Sequence, residues 1–272
     1  MTGLLPGGLS EPDGLHREFA FAPVTGELEL ILGMFDGRRL GVVDRVTSVL
    51  CAALEHIGGR PVTSERVLDL CVDDRRFLMQ QLAGELGIAT VWVTSACPAC
   101  AAIFDCPVHP TRLPVKPAGP DYPFASVITS IGPLRLRVPT GVDQQALSSL
   151  GSRSLTRDLI ARCVVDGPGE AVSGTALAGA LTDADVERIG AALEESSPEV
   201  ARRATGNCPT CGETIDIEVD PYLCLYLGAE RLLDEVEALA ATYHWSEQDI
   251  LALPRERRRR YLRSSRRMAF AG

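Results

Sequence analysis

The feature that most constrains the fold of this chain is a Cys-Pro-x-Cys stretch that occurs twice. The first copy is "ACPACAAIFDCPVHP" at residues 96–110, and the second is "NCPTCGETIDIEVDP" at residues 207–221. The two copies agree beyond the cysteines when they are aligned at an offset of 111: Cys97 with Cys208, Pro98 with Pro209, Cys100 with Cys211, Asp105 with Asp216 and Pro110 with Pro221. The agreement indicates one structural unit that is used twice.

A CPxC turn places two thiolates about one edge of a tetrahedral metal site apart, and two such turns supply four ligands for a closed structural zinc site. Strand-like segments flank the turns, "ATVWVTS" before the first and "ETIDIEV" after the second. Hairpins of this kind form the knuckles of zinc ribbons. The sequence therefore predicts one zinc site with the ligands Cys97, Cys100, Cys208 and Cys211. The first copy has Ala101 where the second has Gly212, so it lacks the residue that most readily adopts a positive φ after the knuckle.

Two other uses of the first CPxC remain open. Cys106 and His109 extend it to a C-x2-C-x5-C-x2-H pattern, which could bind zinc without the second copy. Alternatively, the apolar strand that runs into Cys97 could be the start of a thioredoxin-like redox site, with the first thiolate at a helix N-terminus. The prolines in "FDCPVHP" argue against a helix there, because proline breaks helix interiors.

Helical and strand-like patterns alternate, so the expected class is α+β, with the two strand–CPxC–strand units forming a duplicated architecture. Residues 42–57 have apolar side chains at helical spacing, and Gly58–Gly59 is expected to stop that helix. "ASVITSIGPLRLRVPTG" predicts two short strands, and "MTGLLPGGLSEPDG" predicts a flexible arm. The predicted divisions are an N-terminal arm (1–25), a first helical and CPxC half (26–140), a second such half (141–244) and an Arg-rich helical tail (245–272).

The remaining cysteines and the two tryptophans have apolar neighbours, and a buried position is expected for them. These residues are Cys51, Cys71, Cys163, Cys224, Trp92 and Trp245. The sequence contains no Walker P-loop, no G-x-G-x-x-G after a strand, no G-x-S-x-G and no H-E-x-x-H motif. No carboxylate pair is joined to a nucleophile or a histidine. The sequence therefore predicts that the protein is not an enzyme.

Charge is distributed unevenly along the chain. The net charge is −9, yet residues 255–267, "RERRRRYLRSSRR", contain eight arginines and one glutamate. An acidic body with a basic tail predicts a docking element for an acidic partner, with a solvated amphipathic helix as the alternative. No segment approaches the roughly 18 apolar residues of a transmembrane helix, and no secretory signal is recognised. Nine cysteines in this context predict a reducing, cytoplasmic location.

Several segments resemble a known family. "LCVDDRRFLMQQLAGELG" leads toward the first CPxC, which is followed by "LPVKPAG" and "RVPTG", and the chain closes with "EVEALAATYHWSEQDILALPRERRRRYL". Together they resemble the baseplate and tail-assembly proteins of contractile phages and phage-derived contractile injection systems, a family related to the baseplate hub assembly protein of T-even phages. The resemblance covers roughly residues 15–263. It implies a non-enzymatic role in building a baseplate, zinc-binding CPxC pairs and partners among the baseplate or tail subunits.

Two function classes stand beside this expectation. A zinc-ribbon protein that binds nucleic acid could use the arginines of the tail on phosphates. The acidic body and the low aromatic content of 5% disfavour that class. A thiol-disulfide oxidoreductase could use Cys97 and Cys100 as its redox pair.

Overall fold

The computed structural model describes residues 2–34, 41–148, 155–168, 174–220, 222 and 229–269, the side chains of 265–269 excepted. The strands are β1 (Thr2–Glu11), β2 (Gly14–Phe21), β3 (Leu54–Ile57), β4 (Arg60–Pro61), β5 (Val91–Ala96), β6 (Ile103–Val108), β7 (Val115–Lys116), β8 (Phe124–Thr129), β9 (Gly132–Arg137), β10 (Val164–Asp166), β11 (Glu199–Val200), β12 (Arg203–Asn207) and β13 (Thr214–Glu218).

The helices are α1 (Gly26–Met34), α2 (Val42–Ala53), α3 (Ser64–Asp69), α4 (Val72–Glu85), α5 (Gly141–Ser148), α6 (Leu155–Cys163), α7 (Gly174–Ala180), α8 (Asp183–Ser196), α9 (Glu230–Tyr243), α10 (Glu247–Leu251) and α11 (Arg255–Ala269), with a short 3-10 turn at Pro110–Arg112. The paired strands described are antiparallel. Helices and antiparallel sheets together confirm the predicted α+β class. Among the described residues, no helix combines the length and the apolar character that crossing a bilayer requires.

The N-terminal segment is a strand, and the prediction of a flexible arm is wrong. Strand β1 is the edge of a four-stranded sheet in the order β1-β2-β3-β4, and its Leu5 and Leu9 are buried. The backbone N–H groups of Gly7 and Gly8 donate to the buried carboxylate of Asp74 in α4, at 2.9 and 2.7 Å. The glycines thus serve a close backbone approach to a helix, which the local sequence does not reveal.

The predicted helix over residues 42–57 is also too long. Helix α2 ends at Ala53, and the next four residues form strand β3. Gly58 and Gly59 have φ angles of 60° and 70° and make the turn into β4, so they close a hairpin instead of stopping a helix. Two consecutive residues with positive φ suit the right-handed twist of a tight hairpin.

A second core lies between the sheet β10-β9-β8 and the helices α6, α7 and α8. The predicted pair of strands around Gly132 is therefore present as β8 and β9. The predicted boundary at residue 140 separates these strands from the helices they pack against.

One buried carboxylate connects this layer to α5. Asp143 accepts hydrogen bonds from Arg137 of β9, at 2.5 and 2.9 Å, and from Arg162 of α6, at 3.0 Å. Burial raises the pKa of Asp143, but the hydrogen bonds from Arg137 and the Thr140 backbone outweigh burial, so the pKa lies below its ordinary value.

The Arg-rich helix α11 is part of the folded body. The fully buried guanidinium of Arg258 donates to Glu29 of α1 at 2.5 Å and to Glu235 of α9 at 2.8 Å. Leu262 joins the apolar cluster between α9 and α10. Trp245 stacks on Tyr243 beside this cluster, with ring centroids 4.8 Å apart. One face of α11 therefore packs internally.

Candidate metal centre

The two CPxC stretches form two hairpins with the same strand register. In the first, β5 pairs with β6 so that Trp92 lies opposite Pro107 and Ala96 opposite Ile103. In the second, β12 pairs with β13 so that Arg203 lies opposite Glu218 and Asn207 opposite Thr214. Adding the sequence offset of 111 to each residue of the first set gives the second set. The sequence repeat is thus a repeat of hairpin geometry.

The knuckles at the hairpin ends also match, bond for bond. The N–H of Cys97 donates to the carbonyl of Ala102, and the N–H of Ala101 donates to the carbonyl of Cys97, both at 2.9 Å. The equivalent bonds in the second knuckle measure 2.8 and 2.9 Å. Ala101 has a φ of 57°, close to the 77° of Gly212 at the equivalent position. The first knuckle therefore keeps the regular turn although its residue is not glycine.

The inner faces of the two hairpins pack against each other. Alternate residues of the strands point inward and form one buried cluster, which consists of Cys97, Cys106, Val108, Cys208, Ile215, Ile217 and Val219. The strand β7 after the first hairpin pairs with β11 before the second. Packing and pairing together bring two knuckles from distant parts of the chain to one place.

The four predicted cysteines meet where the knuckles converge. Their sulfur atoms all lie within 4.8 Å of one another. Cys97 Sγ lies 3.6 Å from Cys211 Sγ, and Cys100 Sγ lies 3.7 Å from Cys208 Sγ. Four sulfurs around a tetrahedral ion at about 2.3 Å have edges of about 3.8 Å. A disulfide would need about 2.05 Å. The spacing is therefore compatible with one metal ion held by four thiolates.

The knuckle backbones favour thiolate at one position. Burial raises the pKa of the Cys208 thiol, but hydrogen bonds from the backbone N–H groups of Cys211 and Thr210 outweigh burial. The pKa therefore falls to about 6. The backbone N–H of Glu213 lowers the pKa of Cys211, but the thiols of Cys100 and Cys97 raise it, to about 12. The backbone N–H of Ala102 and the Cys211 thiol lower the pKa of Cys100, but burial and the thiols of Cys208 and Cys97 raise it above its ordinary value. A bound cation would favour the thiolate at all four positions, because coordination deprotonates thiols.

The site opens to solvent on one side. Cys97 and Cys208 are buried at the hairpin interface, whereas Cys100 and Cys211 are exposed. Each knuckle thus contributes one inner and one outer ligand. All four positions of a tetrahedral ion would be filled by protein sulfur, which is the arrangement of structural sites and leaves no position for a substrate.

The alternatives for the first CPxC do not fit the arrangement of the chain. Cys106 points into the core between the hairpins, and Nδ1 of His109 donates to the backbone carbonyl of Ala89, 2.9 Å away. Neither joins the four-sulfur group. A thioredoxin-like site would need a helix after the knuckle, and strand β6 follows instead. The C-x2-C-x5-C-x2-H site is therefore not assembled, and the redox motif lacks its helix.

The other cysteines and the tryptophans divide between core and surface. Cys71 and Cys163 are buried, as expected, and the half-buried Cys51 packs against the first core. Cys224 lies outside the described residues. The expectation for Trp92 is wrong: its side chain is 66% exposed on β5. Its place opposite Pro107, on the outer side of the hairpin, explains this exposure.

A second group of possible ligands was not anticipated from the sequence. Glu11, Asp13 and His16 lie together at the β1–β2 turn. Arg60 donates to Glu11 at 3.0 Å and to Asp13 at 2.5 Å, and Arg66 also donates to Glu11. Because two guanidinium groups already neutralise the carboxylates, this group is an ion-pair network at a turn.

Comparison of the chain with protein-family models, with curated proteins and with solved structures finds no significant match.

Proposed function

We propose that this chain is a non-enzymatic structural or assembly protein, stabilised by one structural zinc ion, that serves the baseplate of a contractile phage tail-like particle in the cytoplasm. The observation that carries the structural part is the convergence of four thiols from two distant knuckles. Zinc is the metal best suited to four thiolates in tetrahedral geometry. The baseplate part rests on the resemblance of the segments quoted above.

A structural role follows from the chemistry of the site. Four sulfur ligands close the coordination shell, so the metal would offer no open position for water or substrate. Its effect would be mechanical, because it would join hairpins whose outer cysteines are 111 residues apart in the sequence. A protein that presents fixed surfaces to several neighbours needs such rigidity.

Metal content tests the zinc part. Elemental mass spectrometry on protein purified without chelators is expected to find about one zinc per chain. Cys100→Ser and Cys211→Ser should each lose it, because each removes one outer ligand. Cys51→Ser is the matched control, since Cys51 lies outside the four-sulfur group, and it should retain the metal. Zinc that survives in both ligand variants would refute the shared site.

The baseplate part is tested in cells that produce the particle. Removing the gene should give tails or sheaths without baseplates in electron micrographs, and restoring the wild-type chain should restore them. Complementation with Cys211→Ser tests whether the metal site is needed for this role. Normal particles in the absence of the chain would reject the baseplate proposal while leaving the metal site standing.

One observation favours nucleic acid as a second candidate partner. Arg257, Arg260 and Arg263 are exposed on one side of α11, three residues apart, opposite the buried Arg258. Such a row could contact phosphates. A mobility shift that weakens steeply with salt and is lost in Arg257→Gln/Arg260→Gln/Arg263→Gln would support this candidate. No shift at low salt would remove it.

A further inference from the structure

The outer face of the β5–β6 hairpin is apolar although it lies in solvent. Trp92 is 66% exposed and Ile103 is 76% exposed. The face has three cross-strand pairs: Trp92 with Pro107, Thr94 with Asp105, and Ala96 with Ile103. The central pair is joined by a hydrogen bond of 2.7 Å from the Thr94 hydroxyl to the Asp105 carboxylate. Large apolar side chains thus flank one polar pair.

The second hairpin shows that the fold does not require this apolar face. At the equivalent positions its pairs are Arg203 with Glu218, Thr205 with Asp216, and Asn207 with Thr214. The register, the knuckle bonds and the inward-facing core are the same in both hairpins. The central threonine and aspartate are kept, whereas the flanking pairs are polar. The apolar pairs of the first hairpin therefore serve neither the hairpin nor the metal centre, and exposed apolar patches indicate interaction sites.

The charge of this face limits what can cover it. Between Thr90 and His109 the sequence has a single carboxylate, Asp105, and no lysine or arginine. Nucleic-acid phosphates and anionic lipid head groups bind through basic side chains, which this face lacks. The partner that covers this face is therefore a protein with an apolar surface, which would also contact the hydrogen-bonded Thr94–Asp105 pair at the centre of the face.

The face is complementary to itself. A two-fold axis parallel to the strands, between two hairpins packed face to face, places every residue over its own cross-strand neighbour in the other copy. Trp92 then lies over Pro107, Ile103 over Ala96, and Thr94 over Asp105. The two outer contacts each join a large side chain to a small one, and the central contact places the hydrogen-bonded Thr94–Asp105 pair of one copy over that of the other. An isologous dimer interface needs this kind of self-complementarity.

We propose that the outer face of the β5–β6 hairpin is a dimer interface that a second copy of this chain covers. The two ribbons would stack like the layers of a sandwich, at about 10 Å. Six residues per strand span only about 20 Å, so the contact is smaller than the ~800 Å² per partner of a standard interface. The association is therefore weak and concentration-dependent, in the micromolar range.

Sedimentation velocity of the metal-loaded full chain, from about 2 to about 200 µM, brackets a micromolar dissociation constant and tests the proposal. The sedimentation coefficient should rise with concentration toward that of a dimer. Trp92→Arg/Ile103→Thr gives this hairpin the residues of the second hairpin at those positions, so the fold tolerates them. The double variant should weaken the dimer at least tenfold, as loss of two large apolar anchors does, while it keeps the wild-type metal content.

The matched control is Ile128→Thr, because Ile128 is 72% exposed on β8, in a different sheet. It should dimerise like the wild type. A chain that stays monomeric at every concentration overturns the proposal. So does a dimer that survives the double variant, or one that is lost equally in Ile128→Thr.

Tryptophan emission of the wild type gives a second readout that needs no variant. Dimerisation moves Trp92 out of water, so its emission should shift to shorter wavelength over the concentration range in which the dimer forms. Trp245 is half-buried in another cluster and should contribute a constant background. Dimer formation with an unchanged emission maximum would place the interface elsewhere and overturn the assignment.

Discussion

Ala101 and Gly212 occupy the same left-handed turn position of the two knuckles, so exchanging their side chains should have opposite effects. Ala101 has a φ of 57°, and Gly212 has a φ of 77° with open space where a Cβ would stand. A left-handed conformation costs a non-glycine residue about 1–2 kcal/mol. Replacing alanine with glycine lowers the free energy of unfolding by about 0.4–1 kcal/mol, because glycine gives the unfolded chain more conformational entropy. Ala101→Gly should therefore stabilise the knuckle by about 0.5–1 kcal/mol.

The assay is competition for zinc with a chromophoric chelator, because a knuckle folds around its metal and strain in the knuckle lowers metal affinity. Ala101→Gly should raise the apparent zinc affinity about two- to fivefold, and Gly212→Ala should lower it by a similar factor. The doubly exchanged protein should return close to the wild type. Ala99→Gly is the control, because Ala99 lies in the same knuckle without a positive φ. The strain argument fails if Ala101→Gly weakens zinc binding as Ala99→Gly does.

Three further predictions concern side chains outside the four-sulfur group. Cys106→Ala and His109→Ala should each keep about one metal ion per chain by elemental mass spectrometry, since four other thiolates fill the site. Loss of the metal in either variant would instead favour the site formed by Cys97, Cys100, Cys106 and His109. Arg258→Met should lower the free energy of unfolding in urea by about 3 kcal/mol, because it removes the partner of Glu235 and leaves Glu29 with Arg255 alone. The exposed Arg257→Met should change it by less than about 0.5 kcal/mol. Asp143→Asn should lower the melting temperature at pH 7. The folded-state pKa of Asp143 is depressed, so its contribution declines progressively as pH falls below about 4. A difference from the wild type that does not shrink as the pH falls below about 4 would contradict this.

The hairpins and the convergence of the cysteines could be predicted because their signals are local. Two thiols separated by two residues, a proline between them and alternating strands on either side specify a knuckle without reference to the rest of the chain. The repeat then suggests that the knuckles meet. The geometry of Ala101 could not be inferred in this way. Alanine disfavours a positive φ locally, but the hydrogen bonds between Cys97 and its neighbours hold the turn in place.

Long-range contacts explain what the sequence did not reveal. Gly7 and Gly8 have the composition of a flexible arm, yet their N–H groups meet Asp74, more than sixty residues away. Arg258 belongs to a run of arginines with the pattern of a solvated tail, and it is buried because Glu29 lies beside it, 229 residues away in sequence. Nothing local distinguishes Arg258 from the exposed Arg257. The exposure of Trp92 has a similar cause, since only the packing of the second hairpin decides which side of the ribbon is the core.

The position of the metal centre in the chain also explains how a bound metal ion would stabilise the fold. After the first hairpin the chain passes through β7, builds the β8–β9–β10 layer with its own core, and returns through β11 to the second hairpin. Strands β7 and β11 pair through only two residues each, and α5 and the Cys71–Thr140 bridge join the same layer to the first core. A covalent link across a loop of 108 residues, the separation of Cys100 and Cys208, restricts the unfolded chain by about 5 kcal/mol in the chain-entropy account. A four-thiolate metal ion acts as such a link while it stays bound. It would therefore hold together the two hairpins that lie at the two ends of the inserted layer, because two-stranded hairpins alone are marginally stable.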